Sequence, residues 1–230
     1  MKPWHNIPII ENNERLVQIP EYIKFVQPHP YLKLGAPYKN RNQIWKLREG
    51  VLSLLIEAEK YLRSIRNDLS LLIYDTWRPL EVQKFMFNLA LEEEFKKEGI
   101  NLSDIDINSF PEIVKKVERF WANPYLENCI PPPHSTGGAL DISLVQESGK
   151  LVDMGCDIDE MNEKARPDYF KSSNNKDCMS LDANRKLLKK AMLRFGFAQH
   201  PNEWWHFSYG DQLWAWQNRM DYAIYGRISN

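Results

Sequence analysis

The sequence contains few of the features that define several common classes of protein. Its three cysteines, Cys129, Cys156 and Cys178, are widely spaced and include no C-x-x-C pair. They predict reduced thiols rather than a disulfide framework. No apolar run approaches the roughly 18 residues of a membrane span. The N-terminal segment lacks the apolar run and the cleavage site of a signal peptide, so we expect a cytoplasmic protein, with an unusual export route left open.

The chain also lacks an excess of charge of one sign. Its 30 basic and 31 acidic residues give a net charge of -1, which argues against nucleic acid or an anionic membrane as a partner. Hydrophobic residues make up 43% of the chain, enough for a substantial core. No repeat or linker divides the chain, so we expect one domain over 1–230, with a wrapping segment at 1–40 and a helix or tail at 211–230. The sequence indicates neither an oligomeric state nor a role for 211–230.

The hydrophobic pattern predicts an α+β fold. Apolar spacing and end signals predict helices at 47–66, 79–97, 111–121, 181–195 and 211–223. Short apolar or alternating runs predict strands at 69–74, 139–145, 197–198 and 204–209. Ser180 is the expected cap of the fourth helix, and Glu92, Glu93 and Glu94 are expected on a solvated face. Helices first, then strands interleaved with one more helix, predict a small, mostly antiparallel sheet with flanking helices.

Two short segments, about sixty residues apart, carry the side chains that could bind a metal. One contributes His134 and Asp141, and the other contributes Glu203 and His206. Two imidazoles and one carboxylate, with a position left for water, form the ligand set of a catalytic zinc site rather than a structural one. The remaining carboxylate can then act as the general base for that water.

Each segment also has an ordinary structural interpretation. A histidine that follows three prolines is often only a loop residue. If 204–209 is a strand that extends back to Glu203, alternation places Glu203 and His206 on opposite faces, unless a bulge or turn intervenes. The two pairs together are therefore stronger evidence for a metal site than either pair alone.

A third segment, 75–79, follows the predicted strand 69–74 and reads Asp-Thr-Trp-Arg-Pro. An arginine at the end of a buried strand can point into a cleft. There, the planar guanidinium of Arg78 would stabilise the oxyanion that forms as water adds to a carbonyl. The alternative is a surface salt bridge.

In this order, the segments resemble the D-alanyl-D-alanine dipeptidases, which include the zinc D,D-dipeptidases of vancomycin resistance. The family pattern is D-x-x-R-P, then H-x-x-G-x-A-x-D, then E-x-W-H, and it matches positions 75–79, 134–141 and 203–206. A fourth stretch at 153–161 resembles the family's M-G-x-x-F-D-x-M, with Ile158 in place of Phe. The resemblance covers about residues 30–210 and is specific, because four motifs agree in order and approximate spacing.

The resemblance implies a role for each matching residue. His134, Asp141 and His206 would bind one zinc ion per chain. Glu203 would act as the general base and then as the acid that protonates the leaving amine. Arg78 would stabilise the tetrahedral intermediate. From the ligand types alone, iron or cobalt could occupy the same site.

The resemblance also implies a substrate and a fold. D-Ala-D-Ala would be hydrolysed to two D-alanines, and Asp159 would help to hold the free ammonium of this dipeptide. The implied fold is the one that the D-Ala-D-Ala metallopeptidases share with the hedgehog signalling domain. Pro132 stands where the family has a serine, so a substrate contact through that side chain is in question. We further expect the irregular segment 153–180 to cover a narrow pocket, and activity to fall in acid.

Two other functions remain open from the sequence. One keeps the fold and the zinc but makes the protein a D,D- or L,D-carboxypeptidase or endopeptidase that acts on larger peptidoglycan peptides. The missing export signal argues against this function. The other is a binding module that retains zinc without catalysis. Glu203 and Arg78 argue against it, because a structural zinc site needs neither residue.

Overall fold

The computed structural model describes residues 2–40, 43–101, 106–126, 130–173 and 175–228. Within these ranges the strands are β1 (Leu16–Gln18), β2 (Lys24–Phe25), β3 (Lys46–Arg48), β4 (Leu69–Asp75), β5 (Ala139–Gln146), β6 (Ala198–Gln199) and β7 (His206–Ser208). The α-helices are α1 (Pro30–Lys33), α2 (Glu49–Ile65), α3 (Leu80–Lys97), α4 (Pro111–Phe120), α5 (Lys176–Leu193) and α6 (Gln212–Gln217). Short 3-10 helices include Pro3–Asn6 and Pro133–Thr136.

The central sheet has five strands in the order β2-β4-β5-β7-β6. Only the short β2 pairs in parallel, with β4, and every other pair in this sheet is antiparallel. β1 and β3 form a separate antiparallel pair. The predicted α+β fold with a small, mostly antiparallel sheet is therefore confirmed. Among the described residues, no helix is long and apolar enough to cross a bilayer.

The main core lies between the sheet and helices α2 and α5. Leu55, Ala58 and Leu62 lie along one face of α2 at helical spacing, and all three are fully buried. They pack with buried residues of α5 and of the central strands in one continuous cluster. A second cluster joins α3 to α4. The assignment of the chain to a single domain stays a prediction.

Helix α5 begins earlier than the sequence predicts. The prediction placed its start at 181, with Ser180 as the cap, whereas the helix starts at Lys176. The side chain of Asn175 caps it by accepting a hydrogen bond from the backbone N–H of Asp177 at 2.8 Å. Ser180 lies inside the helix, where its hydroxyl bonds to the Lys176 carbonyl. A second capping residue five positions upstream was therefore the stronger start signal.

Glu94 is a further correction. It was expected on a solvated face of α3, but only 3% of its surface is exposed. Its carboxylate accepts a hydrogen bond from Lys97 at 2.5 Å and also pairs with Lys116 of α4. Two lysines compensate for the burial of the charge, which is why an acidic residue can lie between the two helices.

The C-terminal segment holds the N-terminal segment in place. Helix α6 is capped by Asp211 and ends at Gln217, so the predicted helix 211–223 is too long. Beyond it, Ala223 bridges in parallel to Ile9, and the ring of Trp4 packs 5.5 Å from the ring of Trp216. Residues 211–225 therefore have a structural role that the sequence did not reveal.

Candidate active site

His134 lies on a short turn that begins at a proline and ends at a glycine, and these two residues fix its position. Pro133 begins the 3-10 helix that contains His134, and Gly137 ends it in the left-handed region at a φ of 74°. At Gly138, a Cβ atom would lie 2.4 Å from the Tyr209 carbonyl oxygen, so only glycine fits without movement of the backbone. The motif glycines thus allow the chain to turn and enter β5 within five residues of His134.

Asp141 and His206 are brought together by strand pairing. They are direct partners in the antiparallel register of β5 and β7. Directly opposed residues on neighbouring strands project from the same face of a sheet. Both side chains therefore point toward His134, and all three residues are at least 95% buried.

The three side chains form a compact set of donor atoms. His134 Nε2 lies 3.2 Å from His206 Nδ1 and 3.2 Å from Asp141 Oδ2, and His206 Nδ1 lies 3.1 Å from Asp141 Oδ1. Tetrahedral zinc with bonds of about 2.0–2.1 Å to nitrogen holds two such ligands roughly 3.3 Å apart. The donor separations therefore fit a single ion of this size.

The outer nitrogens of the two imidazoles have their own partners. His134 Nδ1 lies 2.7 Å from the Thr76 carbonyl oxygen, which can only accept, so this nitrogen carries the hydrogen. His206 Nε2 lies 3.2 Å from the Ser208 hydroxyl. Both inner nitrogens can then present lone pairs to the same point, as metal-binding histidines do. Burial opposes ionisation of Asp141, but the two imidazoles outweigh it and hold the pKa of this carboxyl well below its usual range.

Glu203 lies beside the donor set without belonging to it. Its Oε2 is 3.8 Å from His206 Nδ1, and its Oε1 is 3.2 Å from Nδ1 of the buried His200. The strand predicted at 204–209 begins only at His206, and Pro201–Asn202 form a turn. Strand alternation therefore does not separate Glu203 from His206, because the chain bends between them. Burial, together with the charge of Asp141, raises the pKa of Glu203 to about 8.

Arg78 is a buried cation with a fixed orientation. Its guanidinium donates to Asp75 Oδ2 through Nη2 at 2.7 Å, to Gln83 through Nη1 at 2.7 Å and to the Tyr31 hydroxyl at 3.1 Å. Nη2 is also 3.7 Å from Asp141 Oδ2. The alternative of a surface salt bridge is wrong, since only 3% of Arg78 is exposed. Burial opposes its charge, but the phenol and carboxylates around it raise the pKa of Arg78 further, so it stays charged.

Asp159 reaches the same cavity from the irregular segment after β5. It adopts a left-handed backbone conformation with a φ of 68°, and its Oδ2 accepts a hydrogen bond from the Tyr31 hydroxyl at 2.9 Å. Tyr31 thus connects Asp159 to Arg78. Burial and the charge of Asp141 raise the pKa of Asp159 to about 7.

These residues line a cavity of about 640 Å³. Of the described residues in the segment 153–180, which was expected to cover the pocket, only Asp159 contributes to the lining. Other parts of the wall come from the N-terminal residues 2–5, from α4 and the chain that follows it, from the turn at 200–203, and from residues 211–213 and 216 at α6. The expectation for 153–180 is therefore corrected. About half of the lining residues belong to segments that are distant in sequence from the motifs.

Several residues of the site escaped sequence analysis. Tyr31 and His29 lie in the Pro- and aromatic-rich segment that we interpreted only as wrapping structure. His29 Nε2 lies 3.2 Å from Asp75 Oδ1, and so helps to hold the carboxylate that orients Arg78. No local signal reveals this contact, because the two residues are 46 positions apart. The position of His200, three residues before Glu203, was the one weak sequence signal that it could belong to the site.

A buried set of two imidazoles and one carboxylate, with a further carboxylate held beside it, is the arrangement of a metallopeptidase. Comparison with known proteins agrees with this class and identifies one family within it. The family model described as D-ala-D-ala dipeptidase matches residues 25–224, and the chain belongs to this family.

One relative that matches almost the whole chain also shows this family. A D-alanyl-D-alanine dipeptidase of Synechocystis sp. is 38% identical in an alignment of 241 positions that covers 99% of this chain and 97% of the relative. A D-alanyl-D-alanine dipeptidase of Escherichia coli is 28% identical over 61% of this chain and 55% of that protein. Among solved structures, a vancomycin-resistance D,D-pentapeptidase in complex with Zn(II) is 13% identical, with a TM-score of 0.49 over 93% of this chain and 90% of that one.

Proposed function

We propose that the protein hydrolyses D-Ala-D-Ala to two D-alanines at a zinc ion held by His134, Asp141 and His206. The observation that carries this proposal is the mutual approach of their donor atoms, all within 4.8 Å of one another. Zinc is favoured because two imidazoles and one carboxylate form a common ligand set of catalytic zinc. The choice of substrate is supported by the family and by the Synechocystis relative, which the chain matches along almost its whole length.

Zinc bound by this set would lower the pKa of a water molecule toward neutrality and polarise the scissile carbonyl. Glu203 Oε2 lies 3.8 Å from His206 Nδ1 and is not itself one of the three donors, so it can reach a water molecule bound beside them. In our proposal it accepts the proton of the attacking water and passes it to the leaving amine. Burial raises the pKa of Glu203, and the charge of a bound zinc ion would lower it again toward neutrality, where a carboxyl group can both accept and return a proton.

Arg78 and Asp159 would orient the substrate. Four hydrogen bonds fix the guanidinium of Arg78, and its Nη2 lies 3.7 Å from a donor carboxylate. A fixed cation at this position stabilises the negative oxygen that forms as water adds to the peptide carbonyl. Asp159, on the other side of the Tyr31 hydroxyl, would bind the free ammonium of the dipeptide. A carboxylate at this position favours short peptides with an unblocked N-terminus.

The test is D-alanine release by the purified, zinc-loaded protein from three substrates: D-Ala-D-Ala, L-Ala-L-Ala and N-acetyl-D-Ala-D-Ala. We expect rapid release from the first only, and loss of that activity on chelation, with recovery on return of zinc. Release mainly from the N-acetylated peptide would favour the carboxypeptidase that acts on larger peptides. No release from any peptide would favour the binding module. The cytoplasmic location stays a prediction.

A further inference from the structure

Among the cations that line the cavity, Lys2 differs from the others. Arg78 is bound by Asp75 and Gln83, Lys115 pairs with Glu112 at 2.8 Å, and Arg119 pairs with Glu163 at 2.6 Å. Lys2 is partly buried and lines the cavity, yet it has no ion pair within 4.0 Å among the residues that the structure describes. Lys2 instead makes a cation–π contact, in which Nζ lies 5.5 Å from the centre of the Trp4 ring.

The backbone that carries Lys2 is firmly held. Trp4 is 7% exposed and packs against the rings of Trp216 and His200, at 5.5 and 5.7 Å between centroids. The Gln212 side chain of α6 donates to the Ile7 carbonyl at 2.6 Å. Lys2 is therefore presented to the cavity by a structured wall rather than by a loose end.

Lys2 also lies on a different side of the donor set from Asp159. Lys2 Nζ lies 5.5 Å from the Trp4 ring, which packs against His200, and His200 Nδ1 is 3.2 Å from Glu203. Asp159 instead contacts the Tyr31 hydroxyl, which accepts a hydrogen bond from Arg78. Burial lowers the pKa of Lys2, and the carboxylates of Glu203 and Glu118 act in the opposite direction. A negatively charged ligand group near Nζ would add to their effect and favour the ammonium form.

A dipeptide brings one such group, because its C-terminal residue ends in a carboxylate. Pro132 has no side-chain donor for this group, and Arg78, Lys115 and Arg119 are already paired. We propose that Lys2 binds the terminal carboxylate of the substrate, so that Asp159 and Lys2 hold the two charged ends of the dipeptide. This inference rests on the proposed function and adds a specificity residue that the family motifs do not contain.

The test compares D-Ala-D-Ala with D-alanyl-D-alaninamide, which lacks the carboxylate, in zinc-loaded wild-type protein and in Lys2→Met. A hydrogen-bonded charge contact of this kind corresponds to about a ten- to hundredfold effect. We expect KM for D-Ala-D-Ala to rise by this factor in Lys2→Met with kcat nearly unchanged, and KM for the amide to stay constant. Lys2→Arg should restore most of the loss. Lys60→Met is the matched control, because Lys60 is exposed and pairs with Glu57 outside the cavity lining, and no change is expected with either substrate.

Equal effects of Lys2→Met on the acid and the amide would overturn the inference, because a merely structural lysine affects both. To separate this inference from the proposed function, the affinities of both peptides are also measured by calorimetry in a Glu203→Gln background, with and without Lys2→Met. If the wild type does not hydrolyse D-Ala-D-Ala but Lys2→Met selectively weakens binding of the acid, the proposed reaction fails and the carboxylate site stands. Equal binding of acid and amide in both backgrounds contradicts the site directly.

Discussion

The inner and outer ends of the cavity are built in different ways. At the inner end, Asp141 and His206 are direct partners across two central strands, and His134 lies on the turn that leads into one of them. At the outer end, the wall includes residues 2–5, α4 and residues 211–213 and 216, which come from distant parts of the chain. Backbone hydrogen bonds set the first arrangement, whereas side-chain packing sets the second.

Because the two ends are built differently, we expect the inner end to determine the catalytic chemistry and the outer end to determine the choice of substrate. A strand register allows little variation, because a shift of one residue turns every side chain to the other face. The donor atoms therefore have one geometry for as long as the sheet forms. A wall made of packed side chains can change residue by residue without disturbing the sheet. We thus expect changes at the inner end to affect metal binding and kcat, and changes at the outer end to affect KM.

The largest effect is expected from Asp141→Ala at the inner end. Loss of one of three protein ligands leaves two imidazoles, so the zinc content should fall well below one per chain and hydrolysis should fall to background. Metal analysis after gel filtration, with the D-alanine assay, measures both. Asp157→Ala is the control, since Asp157 is exposed and lies outside the cavity lining. Full zinc content in Asp141→Ala would show that the ion is held elsewhere.

The next effect is expected from Arg78→Lys, also at the inner end. A lysine keeps the charge but cannot donate to Asp75, Gln83 and Tyr31 in the geometry of a guanidinium. Removal of one positioned oxyanion donor lowers kcat by about 10²–10³. We expect a fall of this size with zinc content unchanged. Arg66→Lys is the control, because Arg66 is exposed and pairs with Asp68 outside the cavity lining, so full activity is expected. An equal loss of activity there would show that the effect is not specific to Arg78.

The smallest effect is expected from pH at the ammonium-binding carboxyl. Because the pKa of Asp159 is raised to about 7, this carboxyl loses its charge as the pH falls through that value. The charge of a bound zinc ion moves the midpoint below about 7, so KM should rise on the acid side by at most about tenfold per pH unit. In Asp159→Asn, KM should be high and independent of this ionisation. A pH profile of KM that is identical in the two proteins would exclude Asp159 as the ammonium partner.

Much of the fold could be predicted from the sequence, and so could the four residues in and beside the donor set: His134, Asp141, Glu203 and His206. Helix α2 and strands β4 and β5 are long and strongly patterned, so their apolar spacing indicates them almost to the residue. The motifs around His134 and His206 are compact because backbone pairing holds the donors, and such local constraints are visible in a sequence. The roles assigned to these residues stay proposals.

The outer wall could not be predicted, because nothing local encodes it. The Tyr31 hydroxyl contacts Asp159 across 128 positions, and the segment that carries Lys2 is held by a hydrogen bond from Gln212 of α6, 205 positions from Ile7. Helix ends were also missed where two caps competed, as at Asn175 and Ser180. Contacts of this kind depend on packing of the whole chain rather than on spacing within one element.

The most direct test of the account is the Glu203→Gln variant, because it separates metal binding from proton transfer. The substitution keeps the size of the side chain and removes its ability to accept a proton. The account predicts one zinc per chain, as in the wild type, with kcat for D-Ala-D-Ala lower by about 10²–10⁴. Turnover near the wild-type rate, or loss of the zinc ion, would contradict the assignment of Glu203 as a base that stands beside the metal ligands.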